Sequence, residues 1–224
     1  KIHNQRVVLN RYARRSNEEF RTKINRIKNL ENKIDSCDSI EQIMGYEGNA
    51  SKNYFSALSR IVEPEFAFKG RSKRPPREPF NSMLSLGYTL LMYEIYGALE
   101  NRGLNPYAGF LHKDKERHPT LASDLMEEWR AVLIDSMVLS LIQRHEISIN
   151  AFSKSEETQG VVIDKEGMTI FLKKYEKKLR TDARYLDYIR SRVSFRRAIL
   201  LQVGELAKAI DNENYDMYEP VNLR

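Results

Sequence analysis

Residues 80–101 read FNSMLSLGYTLLMYEIYGALEN, an apolar stretch in which large aliphatic side chains recur at helical spacing. Gly103, just beyond the last apolar residue, is of the type that commonly ends a helix because glycine accepts a left-handed backbone. We therefore predict a helix over 80–101 at the centre of the core. Its apolar positions are Met83, Leu84, Leu86, Leu90, Leu91, Ile95 and Leu99.

Around this helix, 224 residues are enough to bury one substantial core. The chain has 37 Lys and Arg against 31 Asp and Glu, a net charge of +6, which favours a polyanionic partner wherever the cations cluster. A single cysteine, Cys37, excludes an internal disulfide and fits a reducing compartment. No apolar run is long enough to span a bilayer and no signal peptide is visible, so we expect a cytoplasmic protein with no membrane partner.

Helical spacing of apolar residues continues along most of the chain and predicts an all-α fold. Asp38 and Ser39 are typical helix caps, and Gly45 is expected to end the short helix that they begin. The apolar runs 161–163 and 168–170 predict a small β-hairpin, unless the second run belongs to the following helix. The fold class is therefore mainly helical with at most one short β-hairpin. The predicted helices cover residues 1–32, 40–44, 45–58, 80–101, 120–144, 171–180 and 193–210.

The stretch 105–130 holds the first candidate site. His112 lies in a charged loop, and the helix that follows carries Asp124, Glu127 and Glu128. Carboxylates three and four residues apart project from one helical face, and the preceding loop can fold His112 back onto that face. Imidazole and carboxylate together form a ligand set for a divalent metal, and Mg²⁺ or Mn²⁺ accepts it. The alternative is that these acids only favour the helix N-terminus through its dipole.

Glu47 is the best candidate for a third ligand from elsewhere in the chain. It lies among small residues near the expected start of the 45–58 helix, a position that also fits a dipole partner and, by position alone, fits it better. A site of Glu47, His112 and Glu127, assisted by Asp124, would leave coordination positions for water and phosphate. Such a metal activates a hydroxyl and stabilises charge on phosphorus, so phosphodiester cleavage or transesterification is the natural reaction class.

A basic loop over residues 69–79 is the candidate DNA-binding segment. Its prolines prevent a helix, and its cations either hold phosphates or line a solvated linker. The predicted DNA-binding residues are Arg71, Lys73, Arg74 and Arg77.

Other polar and aromatic residues are weaker candidates. His118 and His145 are expected at the surface, and a zinc site is disfavoured because Cys37 is alone. Four tyrosines can stack on unpaired bases, although aromatic side chains in apolar helices more often belong to the core. They are Tyr46, Tyr54, Tyr88 and Tyr93.

Four motifs follow one another along the chain. They are GYEGNASKNYF at 45–55, RPPREPFNSMLSLGYTLL at 74–91, NPYAGFLH at 105–112 and LASDLMEEWR at 121–130. In this order they resemble the Glu-Gly-x-Ala, Arg-Pro-Pro-x-Asp-Pro-x-Asn, Asp-Pro-x-x-Gly-Phe-Leu-His and Leu-Ala-x-Asp-Leu-Met-Glu-Glu-Phe-Arg motifs of the CRISPR-associated integrase family, protein one of the Cas set. Tyr218-Glu219-Pro220 also resembles the family's closing Tyr-x-Pro.

The resemblance implies an α-helical catalytic domain that integrates captured DNA into a CRISPR array. It implies Mg²⁺ or Mn²⁺ bound by Glu47, His112 and Glu127, with Asp124 as the alternative third acid. The implied reaction is attack by a DNA 3′-hydroxyl on a phosphodiester at the leader–repeat boundary, and His112 can also serve in proton transfer.

The resemblance also sets expectations for domains and partners. We expect residues 1–224 to be the helical catalytic domain, without the N-terminal β-domain through which family members dimerise. The expected partners are spacer-precursor and repeat DNA, the small protein two of the Cas set, and a second copy of the full-length protein. Two alternatives are a casposon-type transposon integrase and a catalytically silent helical DNA-binding subunit.

Overall fold

The structure is a computed structural model, and it describes residues 1–13, 17–72, 74–112, 117–186 and 188–223. Helices dominate these ranges, which confirms the mainly helical fold class. The helices are α1 (Ile2–Ala13), α2 (Glu18–Glu31), α3 (Ile40–Leu58), α4 (Pro79–Glu100), α5 (Thr120–Arg130), α6 (Ser136–Gln143), α7 (Lys165–Leu179) and α8 (Phe195–Asp211). The strands are β1 (Phe152–Lys154), β2 (Val161–Ile163), β3 (Asp182–Ala183) and β4 (Val193–Ser194).

The first helix does not run unbroken over residues 1–32, so that prediction is wrong. Asn17 adopts an extended conformation, and its side chain accepts a hydrogen bond from the backbone N–H of Phe20 at 3.0 Å. An asparagine cap satisfies a backbone donor that would otherwise be left unpaired, and it begins a new helix at Glu18. Residues 14–16, between the two helices, lie outside the described ranges.

Helix α3 is longer than predicted. Ser39 caps it as expected, accepting from the N–H of Gln42 at 3.3 Å, but the helix continues through Gly45 instead of ending there. A glycine costs a helix only about 1 kcal/mol, less than the packing of α3 against α1 and α2 can supply. Glu47 is therefore well inside the helix, as its eighth residue.

Helix α4 lies at the centre of the core, as the sequence predicts. Leu84, Leu91, Ile95 and Leu99 are fully buried, and α4 packs against α5, α6 and α8. Gly87 faces the segment that follows α5 so closely that a Cβ there would overlap the Ile134 side chain. Glycine is thus required at this crossing because of space, not backbone conformation.

The predicted helix over 120–144 forms as α5 and α6 joined by a π-helical segment, Ala131–Asp135. All five residues of this segment are buried, including Asp135. A π-helical turn inserts extra backbone into an α-helix and is frequent at functional sites. The spacing of apolar residues along 120–144 gives no sign of this turn, because it predicts one continuous helix.

The predicted hairpin pairs different segments. Val161–Ile163 is a strand, but its antiparallel partner is Phe152–Lys154, with Phe152 opposite Ile163. Residues 168–170 lie inside α7, because Asp164 caps that helix by accepting from the N–H of Gly167 at 2.7 Å. The strands β3 and β4 form a second antiparallel pair, whereas the sequence predicts at most one hairpin.

The residues after α8 fold back over α1 and α5. Glu128 accepts hydrogen bonds from the Tyr218 hydroxyl at 2.6 Å and the Val221 N–H at 2.9 Å. Asn4 donates to the Val221 carbonyl at 2.7 Å and accepts from the Leu223 N–H at 2.9 Å. The segment 218–223 is therefore bound by side chains of α1 and α5. No helix in the described ranges is long and apolar enough to cross a membrane.

We predict that Glu128→Ala destabilises the protein by about 2–4 kcal/mol, because the Tyr218 hydroxyl and the Val221 N–H lose a buried acceptor. Urea denaturation measures the free energy of unfolding. Glu157→Ala is the control, since Glu157 is exposed in the loop between β1 and β2. Equal stability of the two variants would show that Glu128 does not hold the C-terminal segment.

Candidate metal centre

Tertiary structure brings Glu47 of α3 and Glu127 of α5 to the same cation, the side chain of Lys1. The Lys1 ammonium pairs with Glu47 Oε1 and lies 2.9 Å from Glu127 Oε2. All three side chains are at most 15% exposed. The two acids predicted as metal ligands thus already share one cation in a largely dry site, and Lys1 is a site residue that the sequence analysis missed.

Glu127 is held as a charged carboxylate. Burial by itself raises its pKa, but the Arg130 guanidinium and the Lys1 ammonium outweigh burial and lower the pKa below its usual value. Oε1 accepts from Arg130 Nη1 at 3.0 Å. Oε2 is buried, and the Lys1 ammonium approaches it without the geometry of a hydrogen bond. One oxygen of Glu127 is therefore anchored and the other faces Glu47 and the cation.

His112 is positioned by Asp124, one helical turn before Glu127. Asp124 Oδ2 accepts from the N–H groups of Phe110 at 2.7 Å and Leu111 at 2.9 Å, while Oδ1 pairs with His112 Nδ1. The aspartate thus ties the loop to α5 and orients the imidazole. With Nδ1 engaged, Nε2 is the nitrogen left for a metal or a proton.

The turn that carries His112 needs a glycine at its start. A Cβ on Gly109 would lie 2.8 Å from Thr120 Cβ and 3.0 Å from Asp124 Oδ2, too close for real contacts. The Gly109 N–H also donates to Thr120 Oγ1 at 3.2 Å. Because the backbone at Gly109 approaches α5 closely, Asp124 can reach the N–H groups of Phe110 and Leu111.

The two pairs do not form a single ligand cluster. Across the described residues, no three His, Cys, Asp or Glu side chains are close enough together to hold one metal ion. Glu47 and Glu127 form one pair, His112 and Asp124 the other, and α5 joins them. Two buried carboxylates around an ammonium are nevertheless the donor set of a hard divalent cation, for which Lys1 is the stand-in. The acidic pair therefore suits a hard divalent cation.

The helix-dipole interpretation of these acids is wrong. The first turn of α5 contains no acidic residue, and Glu47 lies beyond the first turn of α3. The dipole effect falls off within the first turn of a helix. Nor do Asp124, Glu127 and Glu128 lie on a solvent-facing side of α5, because all three are partly or largely buried against other segments.

The basic loop divides into an inward part and an outward part. Arg71 donates to Asn81 Oδ1 and Ser85 Oγ, both at 3.0 Å, and burial lowers the pKa of its guanidinium. Arg74 and Arg77 are exposed, and Lys73 lies outside the described residues. DNA binding by this loop stays a prediction, with Arg74 and Arg77 as the predicted cations that the described residues show to be exposed.

The remaining candidate histidines and tyrosines differ in how exposed their side chains are. His145 is exposed, as expected, and exposed His118 lies 3.1 Å from Ser123 Oγ. Tyr93 is 63% exposed, whereas Tyr54 and Tyr88 belong to the core.

A buried aspartate behind Glu127 was missed by the sequence analysis. Asp135 accepts from the hydroxyls of Tyr54 at 2.7 Å and Tyr88 at 2.5 Å. A single acid inside the apolar run AVLIDSMVLSLI, residues 131–142, is the signal that could have found it. Charge is rarely buried in such a run without hydrogen-bonding partners.

These contacts define the class of protein: a helical domain with a carboxylate- and histidine-based centre suited to a divalent cation. The family model described as "CRISPR associated protein Cas1" matches residues 1–177. The chain belongs to this family, and the resemblance of its four motifs is confirmed.

Individual relatives agree with the family. "CRISPR-associated endonuclease Cas1" of Mycobacterium tuberculosis is 41% identical over 211 residues, which cover 94% of this chain and 62% of that protein. The chain therefore spans about three-fifths of the length of that relative. The solved "Cas6-RT-Cas1–Cas2 complex" matches with a TM-score of 0.87 and 25% identity, covering all of this chain and 24% of that one. "Casposase bound to integration product" matches with a TM-score of 0.85 and 26% identity, covering 98% and 64%.

We predict that Gly109→Ala destabilises the protein by about 1–3 kcal/mol and alters the NMR shifts of the His112 ring, since the new Cβ pushes the turn away from Asp124. Gly97→Ala is the matched control, because its Cβ meets nothing within 4 Å and alanine favours the interior of α4. Urea denaturation and imidazole NMR measure the two effects. Unchanged His112 resonances in Gly109→Ala would contradict the proposed tie between turn and helix.

Proposed function

We propose that this chain is the catalytic part of a metal-dependent DNA integrase of CRISPR spacer acquisition, which joins DNA 3′-hydroxyls to the repeat by transesterification. The observation that carries the proposal is the enclosure of one cation by Glu47 and Glu127, which are 80 residues apart in the sequence. Asp124, which pairs with His112, lies one helical turn before Glu127 on α5. Membership in the Cas1 family supplies the context of CRISPR DNA.

Glu47, Glu127 and His112 would hold Mg²⁺ or Mn²⁺. When bound, the ion lowers the pKa of a hydroxyl nucleophile and stabilises negative charge on the phosphorus. Glu127 is kept ionised by its cationic neighbours, so it can bind a metal without first losing a proton. His112 would face the same ion through Nε2, or take the proton of the attacking hydroxyl through that atom.

Asp124 is proposed as a positioning residue, not the third ligand. Its oxygens accept from three backbone amides and pair with the His112 ring, so they are committed to the loop. Glu127 instead directs a buried oxygen at a cation shared with Glu47. Because metal-bound histidines commonly donate their other ring nitrogen to a carboxylate, the arrangement fits a histidine ligand supported by an aspartate.

DNA is the proposed substrate and partner. The net charge of +6 favours a polyanion, and Arg74 and Arg77 are exposed on the basic loop. One structural neighbour is a complex that names Cas2, and another is a casposase bound to integration product. We propose that the full-length protein acts on spacer-precursor and repeat DNA as a dimer together with a small Cas2-type partner.

A casposon-type integrase is the second candidate, favoured by the close structural match to the casposase. Both functions use the same chemistry, so the DNA ends distinguish them. Strand transfer into a CRISPR leader–repeat duplex supports the first, and transfer of transposon-end DNA without preference for the repeat supports the second. A silent subunit would transfer neither DNA.

We predict Mn²⁺- or Mg²⁺-dependent strand transfer, or its reversal, on a branched DNA with a repeat junction, and no activity after chelation. Glu47→Ala and His112→Ala should each lower the rate roughly 100-fold or more, because each removes a metal ligand. Glu41→Ala is the control, since Glu41 is an exposed acid of the same helix. Equal rates for wild type and both site variants would refute the site.

We predict that Glu127→Gln weakens Mn²⁺ binding roughly 10-fold or more, and that Asp124→Asn weakens it less because it acts through His112. Electron paramagnetic resonance of free Mn²⁺ gives the dissociation constants without an activity assay. If Asp124→Asn were the more damaging change for Mn²⁺ binding, the third ligand would be Asp124 instead of Glu127.

A further inference from the structure

A buried polar network lies directly behind Glu127. Arg130, three residues along α5, donates through Nη1 to Glu127 Oε1 at 3.0 Å. Its guanidinium carbon lies 5.2 Å from the centre of the Tyr88 ring. The Tyr88 hydroxyl donates to Asp135 Oδ1 at 2.5 Å, and the Tyr54 hydroxyl donates to Oδ2 at 2.7 Å. The network thus joins α3, α4, α5 and the π-helical segment.

Asp135 is the fixed end of this network. It is fully buried, at a cost that hydrogen-bond donors and nearby cations must offset. Burial and the adjacent carboxylate raise the pKa of Tyr54 and of Tyr88, so both hydroxyls keep the protons that they donate. A second guanidinium, that of Arg71, lies 5.3 Å from the Tyr88 ring centre. Both carboxylate oxygens of Asp135 are satisfied by rigid aromatic side chains.

Arg130 is the residue that joins Glu127 to this network, through its hydrogen bond to Glu127 and its position over the Tyr88 ring. Its side chain is only 12% exposed. Burial lowers its pKa, but Glu127, Tyr88 and Asp135 outweigh burial and raise it, so the guanidinium stays charged. It therefore lies between two acids, bonded to Glu127 and attracted by Asp135. Moving this guanidinium away would leave Lys1 as the cation paired with Glu127 and would weaken the attraction that offsets the burial of Asp135.

We propose that Arg130, held by Asp135, Tyr54 and Tyr88, is a positioning residue that reserves Glu127 Oε1 and leaves only Oε2 for the cation. The proposal rests on the proposed function, since it concerns how the same site selects its ion. Mg²⁺ and Mn²⁺ are satisfied by one oxygen of a carboxylate in a compact shell, whereas Ca²⁺ takes more oxygens and often both from one carboxylate. By occupying Oε1, Arg130 lowers the affinity of the site for Ca²⁺ relative to Mg²⁺ and Mn²⁺.

The test compares Arg130→Lys, Tyr88→Phe, Tyr54→Phe and Asp135→Asn with wild type. Tyr93→Phe is the matched control, because Tyr93 is an exposed tyrosine of the same helix as Tyr88. Mn²⁺ dissociation constants come from electron paramagnetic resonance, and Ca²⁺ constants from competition with bound Mn²⁺. We expect the network variants to bind Mn²⁺ about 10-fold more weakly, with a smaller preference for Mn²⁺ over Ca²⁺. Tyr93→Phe should match wild type.

Two results separate this inference from the proposed function. Wild type that fails to bind Mn²⁺, or binds it equally well after Glu127→Gln, overturns both. The second result overturns this inference alone. In it, wild type binds Mn²⁺ through Glu127, and all four network variants keep the wild-type dissociation constants for Mn²⁺ and Ca²⁺. Tyr54→Phe and Tyr88→Phe each remove a single oxygen, so these two decide the question if Asp135→Asn does not fold. An unchanged KM for DNA in these variants separates positioning of the ligand from loss of DNA binding.

Discussion

The charge of Glu127 is buried between two cations, and the arrangement of the helices around it depends on that contact. Lys1, which precedes α1, and Arg130 of α5 lower the pKa of this carboxylate against the effect of burial. Lys1 also pairs with Glu47, so α3 is drawn to the same point. A buried carboxylate without such partners would be protonated or excluded, because desolvation of a lone charge costs several kcal/mol.

The π-helical segment between α5 and α6 supports the Glu127–Arg130 contact from the core side. It places Asp135 in the core, where Tyr54 and Tyr88 complete its hydrogen bonds. Gly87 allows α4 to approach the segment closely enough for Tyr88 to reach. The Glu47–Glu127 pair is therefore backed by aromatic and charged side chains from three helices, Tyr54 of α3, Tyr88 of α4 and Arg130 of α5.

Several elements followed from local sequence, and each error has its own physical cause. Apolar spacing predicted α4 and the 120–144 helix, and Ser39 was recognised as a cap. The helix break at Asn17 was missed because it depends on a single capping side chain. The helix end at Gly45 was wrong because packing extends α3 beyond that glycine. Val161–Ile163 pairs with a strand before it, a choice that no local pattern could make. Arg71, predicted from the charge of its loop to bind DNA, is partly buried and donates hydrogen bonds to Asn81 and Ser85.

By itself the sequence determined the helical class, the central helix and the order of the four motifs. It also determined which acids and which histidine these motifs contain. These depend on residue type and spacing, which are local properties. Only the tertiary structure decided that Glu47 and Glu127 share a cation, that Asp124 holds His112, and that Arg130 anchors one oxygen of Glu127. The reason is physical: pairing of charges depends on burial and on distances between helices, and neither is encoded in the spacing along one helix.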